Sequence, residues 1–216
     1  MPREKMIYED LFPPMVQVVM PVKVGSAEVT HFDVSERESR MTMLSHRPYL
    51  SYVPPGRYAR LTIGGMVVMS DTEMERKTNA SAVRHAVGDV LVGGLGLGMV
   101  LIGMARKPEV RTVTVVETSQ DVMQAVWPQV SRFLGRKARK VTIVHADVRE
   151  FKTATKFDAA YFDIWPDIST ENLPEMARLA QRFKGRLRRD GERKPWMGSW
   201  MQDYLRDERR SDRGRW

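Results

Sequence analysis

A glycine-rich turn between a short apolar strand and an apolar helix constrains this chain more than any other feature. The segment reads Asp89-Val-Leu-Val-Gly-Gly-Leu-Gly-Leu-Gly98, and the apolar run 99–105 follows it. A second strand over 113–116 then ends at Glu117. Glycines let a backbone approach a ligand closely, a helix N-terminus faces the ligand, and a carboxylate accepts hydrogen bonds from ribose hydroxyls. The pattern therefore predicts a βαβ unit that holds a nucleoside.

The spacing of the glycines indicates which kind of nucleoside the turn would bind. The turn follows a G-x-G-x-G pattern, and Met99 stands where a nicotinamide-type G-x-G-x-x-G turn has its third glycine. This argues against a dinucleotide and for a nucleoside cofactor without a pyrophosphate. The structural alternative is a strand–helix turn whose glycines bind nothing.

Composition excludes several other classes of protein. Of 216 residues, 42% are hydrophobic and 29% charged, which is typical of a globular domain with an appendage. No apolar run is long enough to span a membrane, and residues 1–10 lack the apolar stretch of a secretory signal. The chain has no cysteine, and its four histidines lack an H-x-x-x-H spacing, so no metal site is predicted. A cytoplasmic protein fits these features.

Strand and helix patterns alternate after residue 88. Strands are predicted at 89–93, 112–117, 140–145 and 157–163, and helices near 98–106, 119–134 and 171–188, the second interrupted or ended around Pro128. Before them lie a hairpin over 58–69 and a helix from about 72 to 86, with Thr72 and Glu75 as a capping box. The alternation predicts an α/β fold with a doubly wound, mostly parallel sheet. Its parts are an N-terminal β-hairpin and helix region at 1–87, the core at 88–191 and a basic helical tail at 192–216.

Polar and aromatic residues follow the later strands, where ligands of open α/β sheets bind. Asp147 follows the third strand and is expected to face an exocyclic amine, or else to cap a short helix near Arg149. Asp163 ends the fourth strand, and Trp165, Pro166 and Asp167 follow it as a substrate mouth. Trp165 packs either on a ligand or in the core.

Several ordered motifs resemble the class I S-adenosylmethionine-dependent methyltransferase superfamily, nearest to its spermidine synthase-like branch. The turn 91–98 is similar to V-L-x-x-G-G-G-D-G, and 115–122 to V-E-I-D-x-x-V. Residues 145–151 are similar to V-G-D-G-x-x-F, and 157–163 to F-D-V-I-x-x-D. The resemblance covers roughly residues 57 to 191 and implies a Rossmann-like fold that binds S-adenosylmethionine or its decarboxylated form.

The resemblance also implies roles for individual residues. Glycines 94, 96 and 98 would line the methionine part of the cofactor, Glu117 would hold the ribose, and Asp147 would face the adenine amine. Asp163 would lie beside the reacting centre as the catalytic residue, with Trp165 and Asp167 toward the substrate. The full set implied to bind the cofactor is Gly94, Leu95, Gly96, Gly98, Glu117, Thr118, Asp147, Val148 and Asp163.

Several residues differ from the motifs of the spermidine synthase-like branch, and these differences affect which reaction is predicted. Aminopropyltransferases carry an Asp in the glycine turn, where this chain has Leu97, and a D-S-S-D-P signature where it has Asp163-Ile-Trp-Pro-Asp167. Their polyamine-recognising Gln and Tyr are replaced by Val68 and Lys77. Methyl transfer to a small molecule of unknown identity is therefore favoured over aminopropyl transfer. The third hypothesis is a non-catalytic binding module with a nucleotide-binding fold.

The C-terminal part carries most of the net charge of +8 and departs from the family. Residues 184–216 hold eleven Lys and Arg against six Asp and Glu, which is either a solvated tail or a weak nucleic-acid contact. Trp196, Trp200, Tyr204 and neighbouring apolar residues recur at helical spacing, so a helix is expected in place of the usual sixth and seventh strands. That helix or a second copy of the chain, in a homodimer, would cover the sheet edge.

Overall fold

The computed structural model describes residues 10–43, 51–189 and 194–213, which form two sheets with helices packed around them. The first sheet is antiparallel and contains β1 (Val22–Val24), β2 (Ala27–Val34), β3 (Gly56–Ile63) and β4 (Met66–Ser70) in that order. A short 3-10 helix (Met15–Gln17) precedes it, and α1 (Glu36–Met43) follows β2. Strands β3 and β4 are the predicted hairpin, and Gly64 and Gly65 at its turn both have positive φ.

The second sheet is entirely parallel and has the order β7-β6-β5-β8-β9. Helix α2 (Glu73–His85) connects the two sheets. The elements that follow are β5 (Gly88–Gly93), α3 (Met99–Arg106), β6 (Val110–Glu117), α4 (Gln120–Leu134), β7 (Val141–His145), β8 (Ala159–Phe162), α5 (Leu173–Lys184), β9 (Trp196–Ser199) and α6 (Gln202–Arg213). Two further 3-10 helices span Gly135–Lys140 and Thr170–Asn172.

The strand order creates a crevice between β5 and β8. The chain proceeds from β5 outward to β7 and then returns to β8 on the other side of β5. The connections leaving β5 and β8 therefore diverge at the carboxyl ends of these two strands, which is where open α/β sheets bind their ligands. The structure confirms the predicted doubly wound α/β class.

The segment around Trp196 forms strand β9, so the helix predicted there is wrong. Residues 196–199 pair in parallel with β8, and the Trp196 ring stacks on His85 with centroids 4.8 Å apart. Helix α6 begins only at Gln202, after Met201 with a φ of 56°. Pairing with a neighbouring strand thus overrides the helical spacing of the apolar residues. Within the described part of the chain the parallel sheet has no sixth or seventh strand.

Helix α4 continues through Pro128, contrary to the predicted interruption. A proline in a helix interior removes one hydrogen bond and costs about 3 kcal/mol. Buried side chains on both sides of it, among them Val126 and Val130, offset that cost because α4 packs against β1 and β2. The docking is reinforced by Asp121 of α4, whose Oδ2 accepts hydrogen bonds at 2.8 Å from the amide and the hydroxyl of Ser26.

Candidate functional site

The glycine turn after β5 lies directly against the end of β8. Gly94 has a φ of 93°, and its amide donates to the carbonyl of Val116 across 2.9 Å. A Cβ at position 94 would lie 2.2 Å from the carbonyl oxygen of Asp163. Because no side chain fits into that space, only glycine lets the turn close over the crevice.

Glu117 points from the end of β6 into this turn. Its Oε2 accepts a hydrogen bond from the amide of Leu95 at 2.8 Å, and its Oε1 accepts one from the amide of Ser119 at 2.7 Å. The residue is buried. Each carboxylate oxygen has two lone pairs, so two acceptor positions remain for a ligand.

These two features border one cavity at the carboxyl ends of β5, β6 and β8. The residues of the predicted site that line it are Gly94, Leu95, Gly96, Glu117, Thr118, Asp147, Val148, Asp163 and Trp165. The fold thus brings together residues up to 71 positions apart, from Gly94 to Trp165, because successive strand ends meet at one edge of a parallel sheet.

Gly98 and Asp167, also expected in the site, do not line the cavity. Gly98 is the N-cap of α3, with a φ of 77°, and a Cβ there would lie 2.6 Å from Val130. Asp167 is exposed, and its side chain accepts a hydrogen bond from Asn172 at 3.1 Å. Asp167 therefore caps a loop through Asn172 and does not border the cavity.

Asp147 caps a turn, and the short helix predicted near Arg149 is absent. Its Oδ1 accepts the amide of Arg149 at 2.8 Å, and the Arg149 guanidinium lies 3.4 Å from Oδ2. That guanidinium also bonds Glu175 at 2.7 Å and holds the pKa of the Glu175 carboxyl below its usual range. Glu175 in turn accepts from the indole of Trp165 at 2.6 Å. Among the described residues, Arg149 is the one Lys or Arg that lines the cavity, and two acids engage it.

A second pair of acids occupies the other end of the cavity. Burial raises the pKa of Asp163 to about 7. Burial also raises the pKa of Glu75 on α2 to about 8; the charge of Asp163 adds to this rise, and a hydrogen bond with the backbone of Ser70 opposes it. Among the described residues, no group of three or more His, Asp and Glu side chains is placed so that it could hold a metal ion.

The capping box expected at the start of α2 is wrong, which is why Glu75 was missed. Thr72 makes no capping bond, and its hydroxyl contacts that of Ser70 at 3.1 Å. Glu75 turns inward on the same helix face as buried Asn79 and Val83. Polar residues on an otherwise apolar stripe are the signal that could have identified this acid.

The N-terminal sheet and β9 supply the remaining walls. Leu61 and Ile63 of β3 and Val68 and Met69 of β4 line the cavity, and the Met69 sulfur accepts the amide of Leu97 at 3.3 Å. Trp200, which follows β9, also lines it. Its indole donates to the hydroxyl of Thr78 at 3.0 Å. Trp200 was expected on a C-terminal helix, and its place at the cavity depends instead on strand β9, which the helical spacing did not indicate.

The described part of the C-terminal helix is nearly neutral. Residues 202–211 contain three Arg and three acidic residues. Arg206 pairs with Asp203 at 3.5 Å, and Arg210 with Asp207 at 3.3 Å. Nucleic-acid contact and homodimerisation stay predictions. In the part of the chain that the structure covers, every helix is too short or too polar to cross a membrane.

No protein-family model matches the chain, and no curated protein does. Solved structures that resemble it include several S-adenosylmethionine-dependent methyltransferases and a spermidine synthase. The spermidine synthase, from Thermotoga maritima, is 16% identical, with a TM-score of 0.47 over 81% of this chain and 55% of that one. A methyltransferase from Geobacter sulfurreducens, in complex with S-adenosyl-L-homocysteine, is 21% identical, with a TM-score of 0.42 over 53% of this chain and 45% of that one.

The glycopeptide N-methyltransferase MtfA, complexed with sinefungin, is 20% identical to this chain. Its TM-score is 0.41 over 53% of this chain and 46% of MtfA. The matched regions span about half the length of each of these three proteins.

Proposed function

We propose that this protein transfers the methyl group of S-adenosylmethionine to a small-molecule acceptor. The observation that supports the proposal most directly is the pairing of Glu117 with the glycine turn. Both line one cavity at the switch point of a doubly wound sheet, and the carboxylate retains acceptor positions on both oxygens. A ribose presents two neighbouring hydroxyl donors, which match a carboxylate in this position.

The other lining residues divide the cavity into regions. Gly94 and Gly96 leave backbone exposed beside the β8 end, where the methionine part of the cofactor would lie. Asp147 borders the region beyond Glu117, and its carboxylate would accept from the adenine amine. Val148 and Leu95 supply apolar contacts for the purine and the ribose. This assignment places the sulfonium near Asp163.

The chemistry needs alignment more than acid or base strength. Bound S-adenosylmethionine supplies a methyl carbon made electrophilic by the adjacent sulfonium. The protein must hold a lone pair of the acceptor in line with that carbon. Such positioning accelerates a reaction strongly. Asp163 contributes a carboxylate that orients the acceptor and takes up its proton. Its pKa of about 7 suits proton transfer near neutral pH.

Calorimetric titration with S-adenosylhomocysteine tests the proposal. The wild-type protein should bind it, and S-adenosylmethionine should bind more tightly than its decarboxylated form. Preference for the decarboxylated form would indicate aminopropyl transfer. Absence of binding to all three ligands would leave a non-catalytic module. The variant Glu171→Gln removes an acid outside the cavity and should bind these ligands as the wild type does.

A further inference from the structure

We infer that a basic surface at the amino end of the parallel sheet binds single-stranded nucleic acid. The surface consists of the last turn of α4, the 3-10 helix Gly135–Lys140 and the end of α3. Its side chains are those of Arg106, Arg132, Phe133, Arg136, Lys137, Arg139 and Lys140. This binding site goes beyond the proposed function and does not depend on it.

The charge of the basic surface is positive and is not balanced by acids close in the sequence. Residues 132–140 hold five Lys and Arg, and the whole segment 122–146 contains no Asp or Glu. By contrast, Arg206 and Arg210 of α6 each pair with an acid. Like charges that lie close together repel one another and oppose a compact fold. Such clustering of Lys and Arg on one surface is typical of nucleic-acid binding.

A structural role accounts for the two lysines without neutralising them. Lys137 donates to the carbonyl of Arg106 at 3.2 Å. Lys140 donates to the carbonyls of Lys107 at 3.0 Å and Val110 at 2.7 Å. The first two of these carbonyls lie at the C-terminus of α3, where a cation is favoured. Because a carbonyl bears no charge, both ammonium groups keep their positive charge.

The arginines have no such structural role. Arg132, Arg136 and Arg139 are exposed, and no described residue forms a hydrogen bond or an ion pair with any of their side chains. Each guanidinium therefore keeps its five N–H donors for a ligand. The planar arrangement of these donors matches the oxygens of a phosphate group. The three arginines are thus suited to contact a nucleic-acid backbone.

Phe133 places an exposed aromatic ring next to Arg132. It is 44% exposed and is the one exposed large apolar side chain from 106 to 140, a range that the structure describes throughout. An aromatic ring beside a basic groove stacks on an unpaired base, whereas the bases of a duplex are already stacked on one another. A membrane-binding face needs a broad apolar stripe, which a single ring does not provide. Phe133 therefore favours a single strand as the ligand.

The basic surface is separate from the cavity at the other edge of the sheet. Lys140 bonds to Val110, the first residue of β6, whereas Glu117, which borders the cavity, is the last. At 3.3 Å per residue, β6 separates the two positions by roughly 23 Å. A nucleic acid bound to the basic surface therefore leaves the crevice accessible.

Fluorescence anisotropy with two labelled strands tests the inference on the full chain. One is an oligothymidylate about 20 nucleotides long, and the other is an abasic strand with the same phosphates and no bases. The wild type should bind the oligothymidylate at least fivefold more tightly than the abasic strand. Its affinity should fall as salt rises, with a logarithmic slope of about 0.7 per phosphate contacted. Equal binding of both strands, or binding that salt does not weaken, would overturn the inference.

The double variant Arg136→Gln/Arg139→Gln tests the position of the site. It should weaken oligothymidylate binding at least tenfold at low salt and reduce the steepness of the salt slope by about 1.4, because two contacts are lost. The matched control is Arg206→Gln/Arg210→Gln, which removes the same charge from α6 and should bind within twofold of the wild type. Equal losses in the two double variants would show that net charge alone drives binding, and would contradict the inference.

Substitutions of Phe133 test the stacking separately from the charge. Phe133→Leu stays apolar but has no ring, so it should weaken oligothymidylate binding fivefold or more and leave the salt slope unchanged. Phe133→Tyr should retain the wild-type affinity. Wild-type affinity in Phe133→Leu, or binding to phosphatidylserine vesicles without binding to the oligothymidylate, would overturn the inference. Failure to bind S-adenosylhomocysteine would instead contradict the proposed function alone.

Discussion

The amide of Leu95 donates to the carboxylate of Glu117 across 2.8 Å, so the acid that ends β6 is fixed by the turn that follows β5. The same carboxylate accepts from Ser119, the N-cap of α4. Glu117 therefore joins two adjacent βα connections while keeping acceptor positions for a ligand. The side chain thus has a structural role, and under the proposed function it also holds the ribose.

Glu117→Gln should reduce both stability and cofactor affinity. An amide offers one acceptor oxygen, so one of the two backbone donors, the buried amide of Leu95 or the partly buried amide of Ser119, loses its partner. We expect the free energy of unfolding to fall by about 1–3 kcal/mol, the cost of an unsatisfied buried group. Affinity for S-adenosylhomocysteine should fall by about tenfold or more.

Glu109→Gln is the control for that variant, because Glu109 is exposed and precedes the other end of β6. Urea unfolding and calorimetry measure the two effects. Unchanged S-adenosylhomocysteine affinity in Glu117→Gln would mean that this carboxylate does not hold the ribose.

Gly94→Ala should distort the crevice, and Gly64→Ala should not. Both glycines have positive φ, so both variants incur a backbone strain of about 1–2 kcal/mol. Only at Gly94 does the new Cβ meet backbone, 2.2 Å from the Asp163 carbonyl, whereas nothing lies within 4 Å at Gly64. We expect an additional loss of about 1–3 kcal/mol for Gly94→Ala, as is typical of overpacking.

The comparison of the two alanine variants isolates the clash from the strain. Urea unfolding gives the difference in stability, and S-adenosylhomocysteine titration shows whether the crevice has opened. Equal losses of stability in the two variants would show that the turn and β8 separate easily.

Asp71→Asn should destabilise the N-terminal sheet strongly. Asp71 is 1% exposed and accepts from the amides of Met15 and Ala59, both at 2.7 Å. It also pairs with Arg76 at 3.0 Å. Asparagine lacks the second acceptor oxygen and leaves the largely buried guanidinium without its carboxylate. Removing one partner of a buried pair costs about 3–5 kcal/mol.

Asp33→Asn provides the reference for a surface pair. Asp33 lies 3.9 Å from Arg57, and both side chains are mostly exposed. Such pairs contribute about 0–1 kcal/mol. In chemical unfolding, the losses in free energy of unfolding of the two variants should therefore differ by several kcal/mol. Similar losses would mean that the hydrogen bonds and ion pair of Asp71 contribute little to stability.

Local sequence patterns predicted the half of the candidate site that lies on consecutive βα units. The glycine turn, Glu117 and Asp147 each follow a strand, and parallel strands bring their carboxyl ends together regardless of the loops between them. Glu75 and Trp200 could not be found this way. Their places depend on how α2 and β9 pack against the sheet, and such packing leaves only a weak mark in a single sequence.

The wrong prediction of a helix around Trp196, where the structure has β9, has a physical reason. Apolar residues at steps of three and four favour a helix when the chain is considered alone. Pairing with the exposed edge of β8 satisfies backbone groups that a helix would leave unpaired on the sheet. The stacking of Trp196 on His85 then covers part of the aromatic ring. Long-range contacts therefore decide a segment whose local preference is opposite.

Stability should fall as the pH rises from about 4 to about 8, because Glu75 and Asp163 are carboxyls with raised pKa values. The folded state retains protons that the unfolded state has already released. Stability from these groups is thus complete below their unfolded pKa values and is lost as the pH rises through the folded ones. Each group contributes a slope of up to about 1.4 kcal/mol per pH unit within that window.

Glu75→Gln should flatten this pH dependence, because glutamine resembles the protonated acid and does not ionise. The variant should match the wild type near pH 4 and exceed it in stability near pH 8. Asp203→Asn, which removes a carboxyl that is 95% exposed, leaves the buried pair intact and should retain the wild-type slope. Urea unfolding of the ligand-free proteins at several pH values measures the stability of the wild type and of both variants. A wild-type slope in Glu75→Gln would show that Glu75 is ionised in the folded protein and that the cavity is less enclosed than its lining indicates.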